Sequence, residues 1–367
     1  MNNRQRAMAI LNYQEADRMP VVHFAFWDET LEKWHQEGHI GQDELHDHNG
    51  VARKLGFDFD WFTTIMPVTG MSSLYPPFQR RVVEEMADGS RKVLDDHGVV
   101  VLQVPGATGI PHEFDHLLKD RASWEEHFLP RLQYSDERLN HALLEQLKDD
   151  SQRDQPIGLY CGSLLGEIRS TVGLTGLSYL TVDDPDLLVE IIDTCATLNY
   201  QITEAMLKSG AKFDFGHFWE DICYNRGPLV NPALFRKAVG PHYRRFTELL
   251  NSYGIEIVSL DCDGKIDKLI PIWLENGVNT MFPIEVGTWE ASIAPWRAQY
   301  GRQIRGVGGT DKRAFSTDYA AVEAEIERLK PLVSLGGYIP CPDHRIPPDA
   351  KWENVQYYCE LMRMVFG

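Results

Sequence analysis

From residue 156 to the end of the chain one pattern recurs: a short apolar run closes on small or polar residues, and a longer stretch of helical periodicity follows it. "PIGLYCG" (156–162) precedes "DPDLLVEIIDTCATLNYQITEAMLKSG" (184–210), whose Asp-Pro start suits an N-cap followed by proline in the first turn. "KFDFGHF" precedes "NPALFRKAVGPHYRRFTELLNSYG", and "IEIVSL" precedes "KIDKLIPIWLENG". "VNTMFPI", "IRGVGG" and "GYIPC" are followed in the same way by "EASIAPWRAQYG", "AAVEAEIERLKPLVSLG" and "WENVQYYCELMRMVFG". Upstream, "MPVVHFAFW" (19–27) and "FDFDWFTTI" (57–65) read as two more strands, with the helical "ETLEKWHQEG" between them. Strand–helix units repeated in this way predict an α/β fold, a (β/α)8 TIM barrel, because parallel neighbours need a crossover and eight of them close a ring. Residues 78–104 break the pattern: their alternation, interrupted by Asp-Gly and His-Gly, reads as β-hairpins inserted after the second strand. With no linker or low-complexity stretch, residues 1–367 are expected to form a single domain.

The formal charge of −18 argues against nucleic acid and anionic membrane surfaces, which select basic patches. No apolar run approaches a membrane span, and the opening "MNNRQRAMAILNYQEADR" lacks a signal peptide's apolar core, so the expected location is cytoplasmic. The six cysteines are scattered without a CxxC pair, which suggests neither a disulfide framework nor a four-thiolate zinc site.

In a barrel of this kind the chemistry sits where the strands end. The run "SLDCDGKI" delivers Asp261, Cys262 and Asp263 to one such end, "MFPIE" delivers Glu285, and "YIPCPDH" delivers His344. Two aspartates, a glutamate and an imidazole converging from three strands make a reasonable ligand set for a catalytic zinc. Each has a plainer alternative: either aspartate could cap the next helix, and His344 could serve its own turn. A regular strand would present Asp261 and Asp263 on one side, whereas an early twist at Gly264 would bring Cys262 in place of one of them. "WED" supplies Glu220 and Asp221 as candidate general acid or base, or as ion-pair partners of Arg226. Trp27 and Trp219 lie past their strands as an aromatic wall for a substrate, with Tyr160 and His217 beside them. "GVGGT" (306–310) reads as close packing and a tight turn sooner than as a phosphate cradle.

Segments spread over the chain, "RAMAILNYQEADRMPV", "YCGSLLGEIRSTVGLTGLSYLTVDDPDLL", "HFWEDICYNRGPLVNPALF", "ENGVNTMFPIE" and "GGYIPCPDHRIPPDAKWENV", resemble the uroporphyrinogen decarboxylase superfamily. That superfamily contains tetrapyrrole decarboxylases and zinc-dependent corrinoid methyltransferases. The decarboxylase branch carries N-terminal arginines that hold acidic side chains of the substrate; here the corresponding place, "FAFWDETLEKW" (24–34), has none. The methyltransferase branch carries His-x-Cys after one strand, a glutamate after the next and a distant cysteine. The resemblance places Asp261, Asp263, Glu285 and His344 at those positions, a match in place with harder donors. It therefore implies zinc activating an ether oxygen, and a methyl transfer from a methoxylated aromatic (O-demethylation) to the cob(I)alamin of a separate corrinoid-binding protein. The alternative it implies is a lyase of the uroporphyrinogen decarboxylase kind working without metal. An aryl ether is a poor electrophile because its leaving group is a phenolate, so the site must stabilise charge on that oxygen. Zinc, or a proton from Glu220 or Asp221, would do so.

Overall fold

The computed structural model describes residues 1–66, 73–107 and 111–367. The short strands β1 (Val22–His23) and β2 (Phe59–Asp60) pair in parallel. β3 (Ile65–Met66) then opens a parallel seven-stranded sheet that continues through β8 (Gly158–Tyr160), β9 (Phe215–Trp219), β12 (Val258–Asp261), β13 (Thr280–Ile284), β14 (Arg305–Thr310) and β15 (Tyr338–Pro342), each beside the last. Just past β15, Ile346 bridges in parallel to Phe26 just past β1. The order is that of the predicted repeat, strand beside next strand with a helix on each connection, as parallel pairing demands.

Strands covered on both faces read as continuous apolar runs, and β8, β12, β13 and β15 are buried at every residue. Aromatic rings fill the space inside: Trp61 stacks on Phe215 at 5.0 Å, and Phe282 meets Phe24, Trp61 and His217. Gly308 makes one close approach possible, because a Cβ there would stand 2.4 Å from the Ile284 backbone nitrogen. Tyr338 fixes the same stretch by donating to the Gly308 carbonyl at 2.8 Å, so packing accounts for "GVGGT".

Three expectations need correction in detail. The run "FDFDWFTTI" is not one strand; the Asp60 carboxylate accepts the Phe62 N–H at 2.8 Å and starts a helical turn, Trp61–Thr64, that separates β2 from β3. The helix expected over "NPALFRKAVGPHYRRFTELLNSYG" is two, Pro232–Ala238 and Gly240–Ser252, since Pro241 has no N–H to continue the ladder. The hairpin region extends beyond residue 104: β4 (Arg81–Glu85), β5 (Arg91–Leu94), β6 (Val99–Gln103) and β7 (His112–His116) form a four-stranded antiparallel sheet. Before β12 comes the small hairpin of β10 (Cys223–Tyr224) and β11 (Gly227–Pro228). The Asp-Pro start at 184 behaves as expected: Asp184 accepts the Leu187 N–H at 3.0 Å at the head of Pro185–Lys208. Among the described residues no helix is long and apolar enough to cross a membrane.

Candidate metal and active site

Register brings the acidic residues together. Asp261 pairs with Trp219 on one side and Phe282 on the other, so the residues that follow β9, β12 and β13 leave the sheet at one level. Asp221 then turns back with φ of 46°, a conformation uncommon for a residue with a Cβ, and its carboxylate accepts the Asp263 N–H at 2.9 Å. The result is three aspartates, Asp221, Asp261 and Asp263, each with an oxygen within 4.8 Å of the others. Asp261 is buried, yet no described residue donates a hydrogen bond to its carboxylate.

Burial drives the Asp261 carboxyl well above the usual carboxylate range, and Asp221, Asp263 and Glu285 push it the same way while Arg345 opposes them. Asp221 is pushed up to about 6 by burial and then by Asp263, with Arg169 pulling back. Carboxylates this close cannot all ionise in a poorly hydrated site without a proton or a cation between them. The donors are hard oxygens, and one imidazole nitrogen lies near: His344 Nε2 is 3.6 Å from Asp263 Oδ2. An oxygen set with one nitrogen is chemically suited to a divalent ion, zinc among them.

The structure thus brings together two of the four ligands expected from sequence, Asp261 and Asp263, and adds Asp221, expected only as an acid or base. Glu285 stands next to this group with its oxygens already engaged, one by the Gly264 N–H and the other by the Thr288 hydroxyl at 2.8 Å. Burial, then Asp263, raises its carboxyl. Gly264 serves this contact with φ of +86°, and a side chain there would run into the Cys223 backbone. The Cys262 thiol is buried against Cys223, donates weakly to the Asp263 carbonyl at 3.5 Å and lies outside the carboxylate group. The strand therefore offers aspartates, and the thiol faces away.

Glu220 and Asp221 are adjacent in sequence and opposite in environment. Glu220 is wholly buried and accepts the N–H groups of Leu164, Leu165 and Gly166 at 2.8–2.9 Å, the Ser163 hydroxyl at 3.3 Å and the Tyr243 hydroxyl. It closes the N-terminus of the helix Gly166–Asp183, whose first N–H groups have no partner within the helix. Its oxygens are spent on this cap, which explains why it is not presented to the mouth as sequence position suggested.

Trp27 is half-buried and stacks on His344, ring centroids 6.0 Å apart at 21°, with Phe24 meeting the same imidazole edge-on at 5.3 Å. Trp219 is half-buried at the end of β9. Tyr160 and His217, paired across β8 and β9, are both buried. Burial pushes the Tyr160 phenol well up and holds the His217 imidazole down at about 3, neutral, with an unpartnered Nδ1. Arg169, Arg345 and Tyr243 were not singled out from sequence. Nothing in their local patterns marks them; only the fold sets them beside these acids.

With this geometry in place, similarity to known proteins can be read. Residues 144–365 match the uroporphyrinogen decarboxylase (URO-D) family. The chain belongs to that family. No curated protein matches the chain in sequence. Among solved structures, a methyltransferase from Methanosarcina mazei is similar with a TM-score of 0.59 at 14% identity, covering 99% of this chain and 98% of that one. A B12-independent methionine synthase from a Shewanella species, in complex with selenomethionine, is more distant, with a TM-score of 0.47 at 12% identity over 95% and 98% of the two chains. The likeness to the Methanosarcina mazei protein shows a shared fold for this URO-D family member. The carboxylate group and its surroundings must carry any reading of the chemistry.

Proposed function

We propose that this enzyme is a methyltransferase that takes the methyl group of a methoxylated aromatic and gives it to the cob(I)alamin of a separate corrinoid-binding protein. The proposal takes the parallel strands as a closed (β/α)8 barrel with the antiparallel sheet inserted after the second strand, and one domain over residues 1–367. The observation that carries it is the group Asp221, Asp261 and Asp263, oxygens within 4.8 Å, at the strand ends beside Trp27 and Trp219. Asp261 and Asp263, with His344 at 3.6 Å from Asp263, would hold a zinc ion and leave Asp221 beside it to carry a proton, and zinc there would supply Lewis acidity toward the ether oxygen. Glu285 positions the Asp263–Gly264 turn through the Gly264 N–H, and Glu220 positions the Ser163–Gly166 turn. Trp27, Trp219, Tyr160 and the neutral His217 give the aromatic ring an apolar surround. Asp221, the aspartate with its carboxyl near 6, is the group suited to hand a proton to the departing phenolate. No protein nucleophile is required, since the attacking electron pair comes from the partner's cobalt(I).

The test combines purified protein, a reduced corrinoid protein and a panel of methoxylated aromatics, with loss of the cob(I)alamin absorbance as the signal. Methyl transfer that disappears on chelation and in Asp261→Asn supports the reading; transfer indifferent to both sinks the ligand set. Family membership itself favours a second reading, metal-independent decarboxylation of an acidic tetrapyrrole with a raised Asp261 carboxyl stabilising a protonated ring. Release of carbon dioxide from uroporphyrinogen by chelator-treated protein, without a corrinoid partner, would select it.

A further inference from the structure

We propose that Arg345 is an anchor for a carboxylate on the substrate's aromatic ring, so that the enzyme acts on methoxylated aromatic acids. This rests on the methyl-ether reading above and narrows it to a substrate class.

Arg345 follows His344 immediately after β15, and its guanidinium lies over Trp27 at 5.2 Å and Phe62 at 5.7 Å from the ring centroids. Apart from those rings it is uncommitted: no described residue accepts a hydrogen bond from its side chain or forms an ion pair with it. Arg169, beside Asp221, also has an unpartnered Nε, but three other shielded arginines are spoken for. Arg138 donates to the Gln133, Ser73 and Arg131 carbonyls, Arg297 to those of Leu335 and Ile304, and Arg18 grips Asp58. Asp60 and Asp261 are near enough to attract Arg345 electrostatically without bonding to it. A guanidinium held by ring contacts keeps its N–H fork free, and that fork matches a carboxylate with two parallel hydrogen bonds.

Position adds the second argument. The end of the first strand, "FAFWDETLEKW", contains no arginine, which spoke against an acidic substrate at that place. The fold supplies one from the far end of the chain, laid on Trp27 beside the imidazole that Trp27 stacks on. A ring resting near Trp27 with its carboxylate on Arg345 would have the rest of its rim turned toward the aspartate group. An anionic substrate needs positive charge to offset the surrounding acids, and Arg345 supplies it on the Trp27 ring.

The experiment is calorimetric binding to the full-length protein of 3-methoxybenzoate and of 3-methoxybenzamide, its neutral counterpart of equal size. The benzoate is expected to bind about 10- to 100-fold more tightly, the range of a charge-assisted hydrogen-bonded pair. In Arg345→Met, which keeps the apolar contact with Trp27, that preference should vanish while affinity for the amide stays within about twofold, since no charged contact to the amide is lost. Arg345→Lys, which keeps the charge and loses the fork, should fall between, and it carries the test alone should the methionine variant fail to fold. A preference undiminished in either variant, no preference in the unaltered protein, or no binding of either compound overturns the proposal. Because no corrinoid protein and no turnover enter the measurement, a carboxylate preference in a protein that transfers no methyl group keeps the anchor and rejects the methyl-transfer reading. Methyl transfer from neutral and acidic ethers with equal affinity does the reverse.

Discussion

Two buried acids, Glu220 just past β9 and Asp261 at the end of β12, lie at the same end of the sheet, and the fold treats them in opposite ways. Around Glu220 it gathers three N–H groups and two hydroxyls, so that one carboxylate is surrounded by donors. Around Asp261 it gathers three more acidic side chains, Asp221, Asp263 and Glu285, and gives the carboxylate no hydrogen-bond donor among the described residues. In the first arrangement the donors offset much of the cost of burial, which still raises the Glu220 carboxyl. The second costs stability unless something positive enters, and strain of that kind clusters at working sites. Burial alone therefore does not mark a functional acid. The informative contrast is between an acid whose hydrogen bonds are complete and a group whose charges are not.

The contrast is sharpest in Glu220→Ala. Deleting a buried acceptor leaves its donors unpaired, and removing one partner from such a network typically costs about 3–5 kcal/mol. Denaturant unfolding should show a loss of that order; a variant of unchanged stability that had lost activity would make Glu220 a chemical group after all. Asp261→Asn should go the other way in the metal-free protein, gaining about 1–2 kcal/mol as like-charge repulsion is relieved. The same change should weaken zinc binding by more than the roughly 10–100-fold that changes one shell further out cost. Stabilisation without loss of zinc, followed by competition titration, would break the assignment of this group as a metal site.

A pH series separates the two regions again. Asp221 has its folded value raised to about 6 from an ordinary 3.8, so between those values the native chain holds a proton that the unfolded chain has released. Stability contributed by this group must then rise as pH falls through that window and be lost as pH rises through about 6. Metal-free protein should show its melting temperature climbing by about 2–4 °C for each kcal/mol regained on acidification, a trend that saturating zinc suppresses because metal and proton compete. A melting temperature that falls steadily from neutral pH would contradict it. The smallest effect is expected from Trp27→Leu, about 0.5–1.5 kcal/mol for the lost ring contacts, with the change appearing mainly as weaker binding of an aromatic ligand. Equal ligand affinity in that variant would remove Trp27 from the aromatic wall.

Much of this was legible in the sequence, and particular residues show how far. The repeat of apolar run and helical stretch marked the parallel strands from "PIGLYCG" onward, since each local period reflects which faces are buried. Asp261 and Asp263 were visible as candidates because each stands at the end of such a run. Glu285 and His344 were visible for the same reason, but their partners were not: that Gly264 and Thr288 occupy Glu285 depends on how two loops meet. Asp221 was recognised as an acid and not as a companion of Asp261, because the left-handed turn that reverses it leaves no trace in residue type. Glu220 looked as reactive as its neighbour, for the helix N-terminus it closes begins more than fifty residues earlier.

What the sequence by itself determined is the local order: which stretches are strands and helices, that the strands run parallel, and that acidic and aromatic residues collect where strands end. Those properties follow from side-chain period and from the geometry of crossover connections, both short-range. Only the tertiary structure decided which acids share a site, which is consumed as a helix cap, and that Arg345 from the last strand end lies on Trp27 from the first. The physical reason is that charge and hydrogen bonding act through space over a few ångströms, between residues the chain brings together from hundreds of positions apart.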